Sequence, residues 1–359
     1  MLHVSMSENH SQSKSYGFFL NDHFGLNHLS YQSFSLPALK SDEAQVRLTH
    51  SALNYRDLLM VEGKYNPGQA LPLIPCSDGV GIVEAVGEHC DLSVGQRVIP
   101  LFSQGWGSGQ PSRVITETTL GGPLDGTLRT HANFKEAGLV PVPEYLTDEE
   151  ASTLGCAALT AWSALVELNQ VSAGQHVLCI GTGGVSLFAA QIAALHGARV
   201  TLTSRDTEKL NRVLSSTGFY PYTDHIQPFL IEDSRGWGRA LKKKHGEVDH
   251  VIEVGGAGTL DESISAVRAG GTISLIGVLA GGSAPVNLTP VLMRQIKIQG
   301  VIVGHREGML NMLKAFEHNR LKPIISSLFT LQDAVSAFRA LKAAQHVGKI
   351  VLIHDEEKR

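Results

Sequence analysis

The chain has 359 residues, of which 43% are hydrophobic and 18% are charged, and its formal net charge is −4. Chains of this length usually divide into two domains, and the composition is that of an ordinary globular protein. The acidic charge argues against a nucleic-acid partner or an anionic membrane surface, and no apolar run is long enough to predict a membrane span.

Residues 1–15 are polar and lack the apolar core of a signal peptide, which predicts a flexible leader. The four cysteines lie far apart with no C-x-x-C pair. This spacing argues against a disulfide framework and favours a reducing, cytoplasmic location.

Residues 16–141 are predicted to form a compact β-rich domain. Short apolar runs such as VGIVEAVG alternate with Gly, Pro and Asp at intervals too short for parallel strand–helix units. Within this part, residues 103–126 are glycine-rich and irregular, which predicts a long surface loop. Loops of that length are often functional.

From about residue 142 the pattern changes to alternating strands and helices. Residues 149–168 carry apolar side chains at helical spacing, and a second helix is predicted from near Val185 to His196. Strands are predicted at residues 176–180, 198–204, 250–256, 271–278 and 296–304. This alternation predicts an α/β fold with a doubly wound parallel sheet over residues 142–304.

The C-terminal tail returns to a helix and a strand. Met309, Met312, Leu313 and Phe316 follow helical spacing, and KIVLI at residues 349–353 is predicted as a last strand.

The segment GTGGVS, residues 181–186, resembles a dinucleotide-binding turn. Gly181 and Gly183 hold the first two glycine positions of G-x-G-x-x-G, while Ser186 holds the third. A strand precedes the turn and a helix follows it, which favours a phosphate site over a plain glycine-rich connection. We expect Ser186 to weaken helix–strand packing slightly. The cofactor phosphates are predicted to lie against Gly181, Thr182, Gly183, Gly184 and Val185.

The end of the next predicted strand indicates which dinucleotide binds. Ser204 and Arg205 stand where an NAD site usually has an acidic residue, and Lys209 follows one turn later. A hydroxyl and cations suit a 2′-phosphate, which predicts NADP(H). Asp206 is interpreted as a helix N-cap, and a solvated surface role for Arg205 remains the alternative.

Several stretches together resemble the medium-chain dehydrogenase/reductase superfamily. They are SALNYRDLLMVEGKY (51–65), PCSDGVGIVEAVG (75–87), GQRVIPLF (95–102), LGCAALTAW (154–162), GTGGVSLFAAQIA (181–193), GGTISLIGV (270–278) and HVGKIVL (346–352). The resemblance covers residues 16–354 and points to the zinc-type alcohol dehydrogenase-like branch near the quinone oxidoreductases. It implies a GroES-like catalytic domain (16–141), a Rossmann domain (142–304), a return to the catalytic domain (305–359) and a homodimer.

The same resemblance locates the metal-ligand positions of zinc alcohol dehydrogenases at Asn54, Ser77 and Cys156. An amide and a hydroxyl bind zinc weakly, so this set does not match the three ligands that catalytic zinc needs. We therefore predict a protein without zinc.

By the resemblance, Tyr65 and Asn54 are the candidate catalytic residues. Tyr65 stands where related reductases have a tyrosine beside the nicotinamide, and Asn54 could hydrogen-bond a cofactor or substrate carbonyl. Asp57 is expected to fix the loop, and Trp106 is predicted to face the substrate together with Tyr65. The remaining predicted cofactor contacts are Thr160, Ile276, Gly277, Val278, Val301, Val303 and His346.

Three functions follow as hypotheses. The first is an NADPH-dependent reductase that transfers hydride to a quinone or an activated alkene without zinc. The second is an NAD(P)-dependent alcohol or aldehyde dehydrogenase. The third is an NADPH-binding redox sensor without turnover.

Overall fold

The computed structural model describes residues 14–219 and 221–354. The predicted leader therefore lies outside the described residues except for Lys14 and Ser15, and Ser15 is buried at the start of the first strand. None of the helices within the described ranges is both long and apolar enough to cross a membrane.

In chain order, the strands are β1 (Ser15–Leu20), β2 (Leu29–Phe34), β3 (Glu43–Leu53), β4 (Asp78–Val86), β5 (Arg97–Pro100), β6 (His131–Lys135), β7 (Leu139–Pro141), β8 (His176–Ile180), β9 (Arg199–Ser204), β10 (Ile226–Leu230), β11 (Val248–Glu253), β12 (Val267–Leu275), β13 (Lys297–Gly300), β14 (Ile325–Thr330) and β15 (Lys349–Ile353). The α-helices are α1 (Tyr55–Val61), α2 (Val114–Glu117), α3 (Asp148–Ala151), α4 (Leu159–Trp162), α5 (Gly184–Leu195), α6 (Thr207–Leu214), α7 (Trp237–His245), α8 (Leu260–Ala266), α9 (Thr289–Met293), α10 (Arg306–Asn319) and α11 (Ala334–Ala343).

The parallel sheet has the strand order β10-β9-β8-β11-β12-β13. This is the order of a dinucleotide-binding fold, in which the chain reverses direction across the sheet between β8 and β11. Ligands of such sheets bind outside the carboxyl ends of the strands at this reversal. The turn that follows β8 lies there, as the sequence pattern predicts.

The other large sheet has the order β14-β15-β3-β4-β5-β7, with β6 paired to β3. Strand β15 runs antiparallel to β3, so the C-terminal segment completes a sheet begun more than 290 residues earlier, as its bond from Lys349 to Leu53 illustrates. The predicted α/β fold, with a parallel sheet in the second part of the chain and a β-rich first part, is confirmed. The limits at residues 141/142 and 304/305 stay predictions.

The element predictions agree with the structure in type and differ at the edges. The helix predicted from the 309–316 spacing is α10, and its apolar residues Met309, Met312, Leu313 and Phe316 are buried. The helical run after residue 148 is not uniform, because π-helical segments at Leu154–Ala158 and Ser163–Glu167 flank α4.

The prediction of a surface loop over residues 103–126 was wrong at residues 115 and 119–122, which are buried. Residues 107–114 are exposed, but α2 follows and residues 119–122 are buried. Ile115 and Leu120 are each 2% exposed, and a Cβ at Gly121 would lie 2.9 Å from the backbone of Cys76. The apolar side chains therefore hold this part of the segment against the sheet.

Candidate active site and cofactor cleft

The nucleotide turn is open on the side where phosphates would lie. Gly181 directly follows β8 and has φ +81°. Gly183 is the N-cap residue of α5, where no side chain accepts a hydrogen bond from the helix. A Cβ built on either glycine meets nothing within 4 Å. The space beside these two glycines is free of protein atoms, as a phosphate site at a helix N-terminus requires, whereas Gly183 also forms a backbone bridge with Gly348.

Ser186 explains how the turn tolerates a missing glycine. Its buried hydroxyl donates a 2.6 Å hydrogen bond to the Ile180 carbonyl at the end of β8. The side chain thus ties α5 to the strand that precedes it, so the weaker packing expected at this position is offset by a buried hydrogen bond.

The tip of β9 presents a free cation. The Ser204 hydroxyl accepts a 3.0 Å hydrogen bond from the Asp206 N–H, and Asp206 accepts from the N–H groups of Glu208 and Lys209 as the N-cap of α6. The acidic side chain is thereby engaged by its own helix. Arg205 is exposed, with no hydrogen bond or ion pair to the parts of the chain that the structure describes.

A cluster of basic groups lies beside this tip. The Lys209 ammonium donates to the Ala344 carbonyl and Arg212 to the Gln345 carbonyl, just before His346. Burial, together with the charges of Lys209, Lys349 and Arg212, lowers the pKa of His346 to about 4. His346 is therefore neutral at physiological pH and lies among the cations.

The three positions of the former metal ligands lie close to a buried charge network. Asn54 is the N-cap of α1, its N–H donates to Asp57 at 2.8 Å, and its side-chain Nδ2 donates to Ser77 Oγ at 3.4 Å. Burial raises the pKa of the Cys156 thiol well above its usual range.

Lys349 is the centre of that network. Its side chain is 3% exposed, and its ammonium donates to Leu53 O (2.9 Å), Asn54 Oδ1 (2.5 Å) and Asp78 Oδ2 (3.3 Å). Asp78 is fully buried; burial raises its pKa to about 6, and the charge of Lys349 counteracts that rise. One of its oxygens, Oδ1, has no hydrogen-bond partner among the described residues.

These residues do not fit a catalytic zinc ion. The one strong oxygen donor of Asn54 is bound to the Lys349 ammonium, whose positive charge would repel a metal cation at that place. Within residues 14–219 and 221–354, no cluster of three or more His, Cys, Asp or Glu side chains is arranged to hold a metal.

Tyr65 is 46% exposed, and its ring lies 5.0 Å from the Arg56 guanidinium. Arg56 is itself held between that ring and Phe102, and it donates to the Leu120 carbonyl at 2.8 Å. This cation–π contact helps to hold the ring in place.

The other predicted contacts are dispersed around the cleft. The Thr160 hydroxyl donates to the Cys156 carbonyl within its own helix, and the indole N–H of Trp106 donates to the Gly109 carbonyl. Beyond the end of β12, Ile276 and Gly277 bond through their N–H groups to Glu253. Val278 is exposed, Val301 is half-buried and Val303 is buried with φ +50°. These assignments stay predictions.

Sequence reasoning missed Lys349 and Asp78 as site residues. Each is a charged residue at the start of a largely apolar strand, within the segments KIVLI and DGVGIVEAV. A charge at such a position needs a partner when the strand is buried, so each of these residues indicates a buried ion pair or hydrogen bond.

Two family models match the chain. One, described as an alcohol dehydrogenase GroES-like domain, matches residues 40–144, and the other, described as a zinc-binding dehydrogenase, matches residues 184–318.

The relatives agree with these matches. A zinc-type alcohol dehydrogenase-like protein of Schizosaccharomyces pombe is 36% identical over 340 residues, which is 91% of this chain and 96% of the relative. An acryloyl-coenzyme A reductase of Sulfurisphaera tokodaii is 29% identical over 88% of this chain and 93% of its own length. A solved structure from Sinorhizobium meliloti, provisionally described as an alcohol dehydrogenase, superposes with a TM-score of 0.85 at 34% identity, covering 95% of this chain and 99% of that one. The chain therefore belongs to the medium-chain dehydrogenase/reductase superfamily and is an oxidoreductase.

Proposed function

We propose that this chain is an NADPH-dependent reductase that adds hydride to an activated alkene, such as an enal, enone or enoyl thioester, or to a quinone, without a metal ion. The observation that carries the proposal is an open nucleotide turn together with an Asn54 amide whose oxygen is bound to the Lys349 ammonium, at a position where the resemblance places a zinc ligand. The acryloyl-coenzyme A reductase among the relatives acts on a substrate of this class.

The residues at the cleft suit this chemistry. The cofactor, when bound, supplies the hydride; its phosphates would be held by the N–H groups of the turn from Gly181 to Val185, and its 2′-phosphate by Ser204 and Arg205. Without a Lewis acid, a localised alkoxide has no cation to stabilise it, whereas an enolate or a hydroquinone anion spreads its charge. Asn54 and Tyr65 provide an amide and a phenol that can donate hydrogen bonds or, for Tyr65, a proton.

We further propose that two copies pair along β13 in the cytoplasm. The four cysteines are free, which is consistent with a reducing compartment. Strand β13 is an exposed sheet edge, and the apolar side chains of Leu292, Met293 and Ile298 are exposed beside it. An exposed apolar sheet edge is a surface that another strand can cover.

The function is tested with purified protein of measured metal content and a panel of enones, enoyl thioesters, quinones and alcohols. We expect NADPH oxidation with members of the first three classes, substoichiometric zinc, and rates unaffected by chelator. Stoichiometric zinc with chelator-sensitive alcohol oxidation would instead establish the dehydrogenase alternative. NADPH binding with no turnover across the panel would establish the redox sensor.

Gly183→Ala tests the cofactor turn. The backbone at Gly183 suits any residue and its Cβ would meet no protein atom, so the fold should keep its thermal stability. The added methyl group would occupy the space of the phosphates, and we expect the Kd for NADPH to rise by roughly tenfold or more, measured by fluorescence titration. Gly68→Ala, at another exposed glycine, is the control and should change neither quantity. An unchanged Kd in Gly183→Ala would place the phosphates elsewhere.

Arg205→Ala tests the choice between NADPH and NADH. Loss of a charge-assisted hydrogen bond to the 2′-phosphate should weaken NADPH binding by roughly 10- to 100-fold and leave NADH binding unchanged. Arg339→Ala, which removes another exposed arginine, is the matched control. Equal effects on both cofactors, or a wild-type preference for NADH, would contradict the assignment of Ser204 and Arg205.

Ile298→Lys tests the dimer. Ile298 is 38% exposed on β13, and a charge there should convert a dimer to a monomer in sedimentation velocity experiments. Leu328→Lys, at a residue 45% exposed on the edge strand β14 of the other sheet, should remain dimeric. A monomeric wild-type protein, or dissociation in Leu328→Lys alone, would refute pairing along β13.

A further inference from the structure

The hydrogen bond from Lys349 fixes the orientation of the Asn54 amide. An ammonium group has three hydrogens and no acceptor, and here they are directed to Leu53 O, Asn54 Oδ1 and Asp78 Oδ2. The atom of Asn54 that faces Lys349 must therefore be its carbonyl oxygen. The reverse orientation would put an NH₂ group against the ammonium with no acceptor between them.

The consequence is that the Asn54 NH₂ group faces away from Lys349. One of its hydrogens makes the long 3.4 Å bond to Ser77 Oγ, and the NH₂ group also lies near enough to the Asp78 carboxyl to lower the pKa of that carboxyl. Rotation of the whole residue is also restricted, because its backbone N–H is bound to the buried Asp57 carboxylate. The amide is thus a fixed donor.

This donor lies beside the nucleotide turn. The stem of Lys349 passes so close to the turn that a Cβ on Gly184 would lie 2.8 Å from Lys349 Cδ. The preceding residue, Gly348, donates its N–H to the Thr182 carbonyl at 3.0 Å. One short segment of chain therefore contacts the turn that would hold the cofactor and the amide that would face the substrate.

We propose that Lys349, held by Asp78, is a positioning residue that orients Asn54 to donate a hydrogen bond to the carbonyl oxygen of the substrate. This inference rests on the proposed function and narrows its substrates to alkenes and quinones activated by a carbonyl group. The ammonium also draws electron density from the Asn54 oxygen, which makes the NH₂ group a stronger donor.

Hydride from NADPH forms a bond to the carbon β to the carbonyl, the carbon–carbon π pair moves toward the α carbon and the oxygen, and the resulting enolate oxygen accepts the Asn54 hydrogen bond. The α carbon would then take a proton from water, or from Tyr65, whose phenolate solvent would reprotonate; the cofactor, having lost the hydride from its C–H bond, would leave as NADP⁺.

The test is a double-mutant cycle on NADPH-dependent reduction of the best enone or enoyl thioester, with variants Lys349→Met, Asn54→Ala and the two combined. If Lys349 acts through Asn54, each single variant lowers kcat by roughly 10- to 100-fold, and Lys349→Met has little further effect in the Asn54→Ala background. The Kd for NADPH should stay within a few-fold of the wild-type value in all three.

Lys349→Met leaves Asp78 buried without its cation and could fail to fold, so Lys349→Met/Asp78→Asn is measured beside it. That pair removes both charges, should fold, and should keep the same loss in kcat. Lys349→Gln, which can still donate to Asn54 Oδ1, should recover part of the rate.

Three results overturn the inference while leaving the proposed function intact. In the first, the Lys349→Met and Asn54→Ala reductions of kcat multiply in the double variant. In the second, the Lys349 variant loses only NADPH affinity or thermal stability. In the third, kcat is unchanged in a folded Lys349→Met/Asp78→Asn protein. Absence of wild-type turnover across the panel, by contrast, refutes the proposed function and this inference with it.

Discussion

The buried ammonium of Lys349 is the interaction on which the geometry of the cleft depends. It stands at the first residue of β15, a strand that belongs to the GroES-like sheet, yet its stem packs against the first residue of α5 on the Rossmann-like side. A charge in such a place is tolerated only when all its hydrogens are bonded, and the three acceptors come from two further segments of the chain. The contacts of this one lysine therefore hold the end of β3, the start of β4 and the nucleotide turn next to one another.

Charge in this region is closely compensated. Asp57 and Asp78 are both fully buried, and each has one cation beside it, Arg56 at 3.4 Å and Lys349 at 3.3 Å. A zinc ion would instead leave a net positive field at the reacting oxygen, which suits a localised alkoxide. Here the two ion pairs carry no net charge, so the reacting oxygen is stabilised by oriented dipoles such as the Asn54 amide. Dipoles of this kind suit an anion whose charge is already delocalised. The electrostatics and the proposed substrate class are therefore consistent with each other.

Local patterns were sufficient to predict much of the fold. The strand before Gly181, the helix after Gly183 and the spacing of Met309 to Phe316 all express short-range periodicity, and the structure has these elements with edges moved by a few residues. Asp206 as a helix cap is likewise a local property. By contrast, Lys349 and Asp78 are 271 residues apart in the chain, and no window of sequence contains both. The buried part of the 103–126 segment escaped prediction for the same reason, since its partner Cys76 lies elsewhere in the chain.

The hydrogen bond from Lys349 to Asn54 restricts how this cleft can evolve into a metal site. To turn this cleft into a metal site, Asn54 and Ser77 would have to become stronger ligands while the lysine loses its charge, because a cation and a divalent metal cannot share one oxygen. Losing the lysine alone leaves Asp78 buried without a partner, and gaining the ligands alone leaves them facing an ammonium. The path from the present cleft to a metal-dependent one therefore includes at least one paired substitution, that of Lys349 with Asp78.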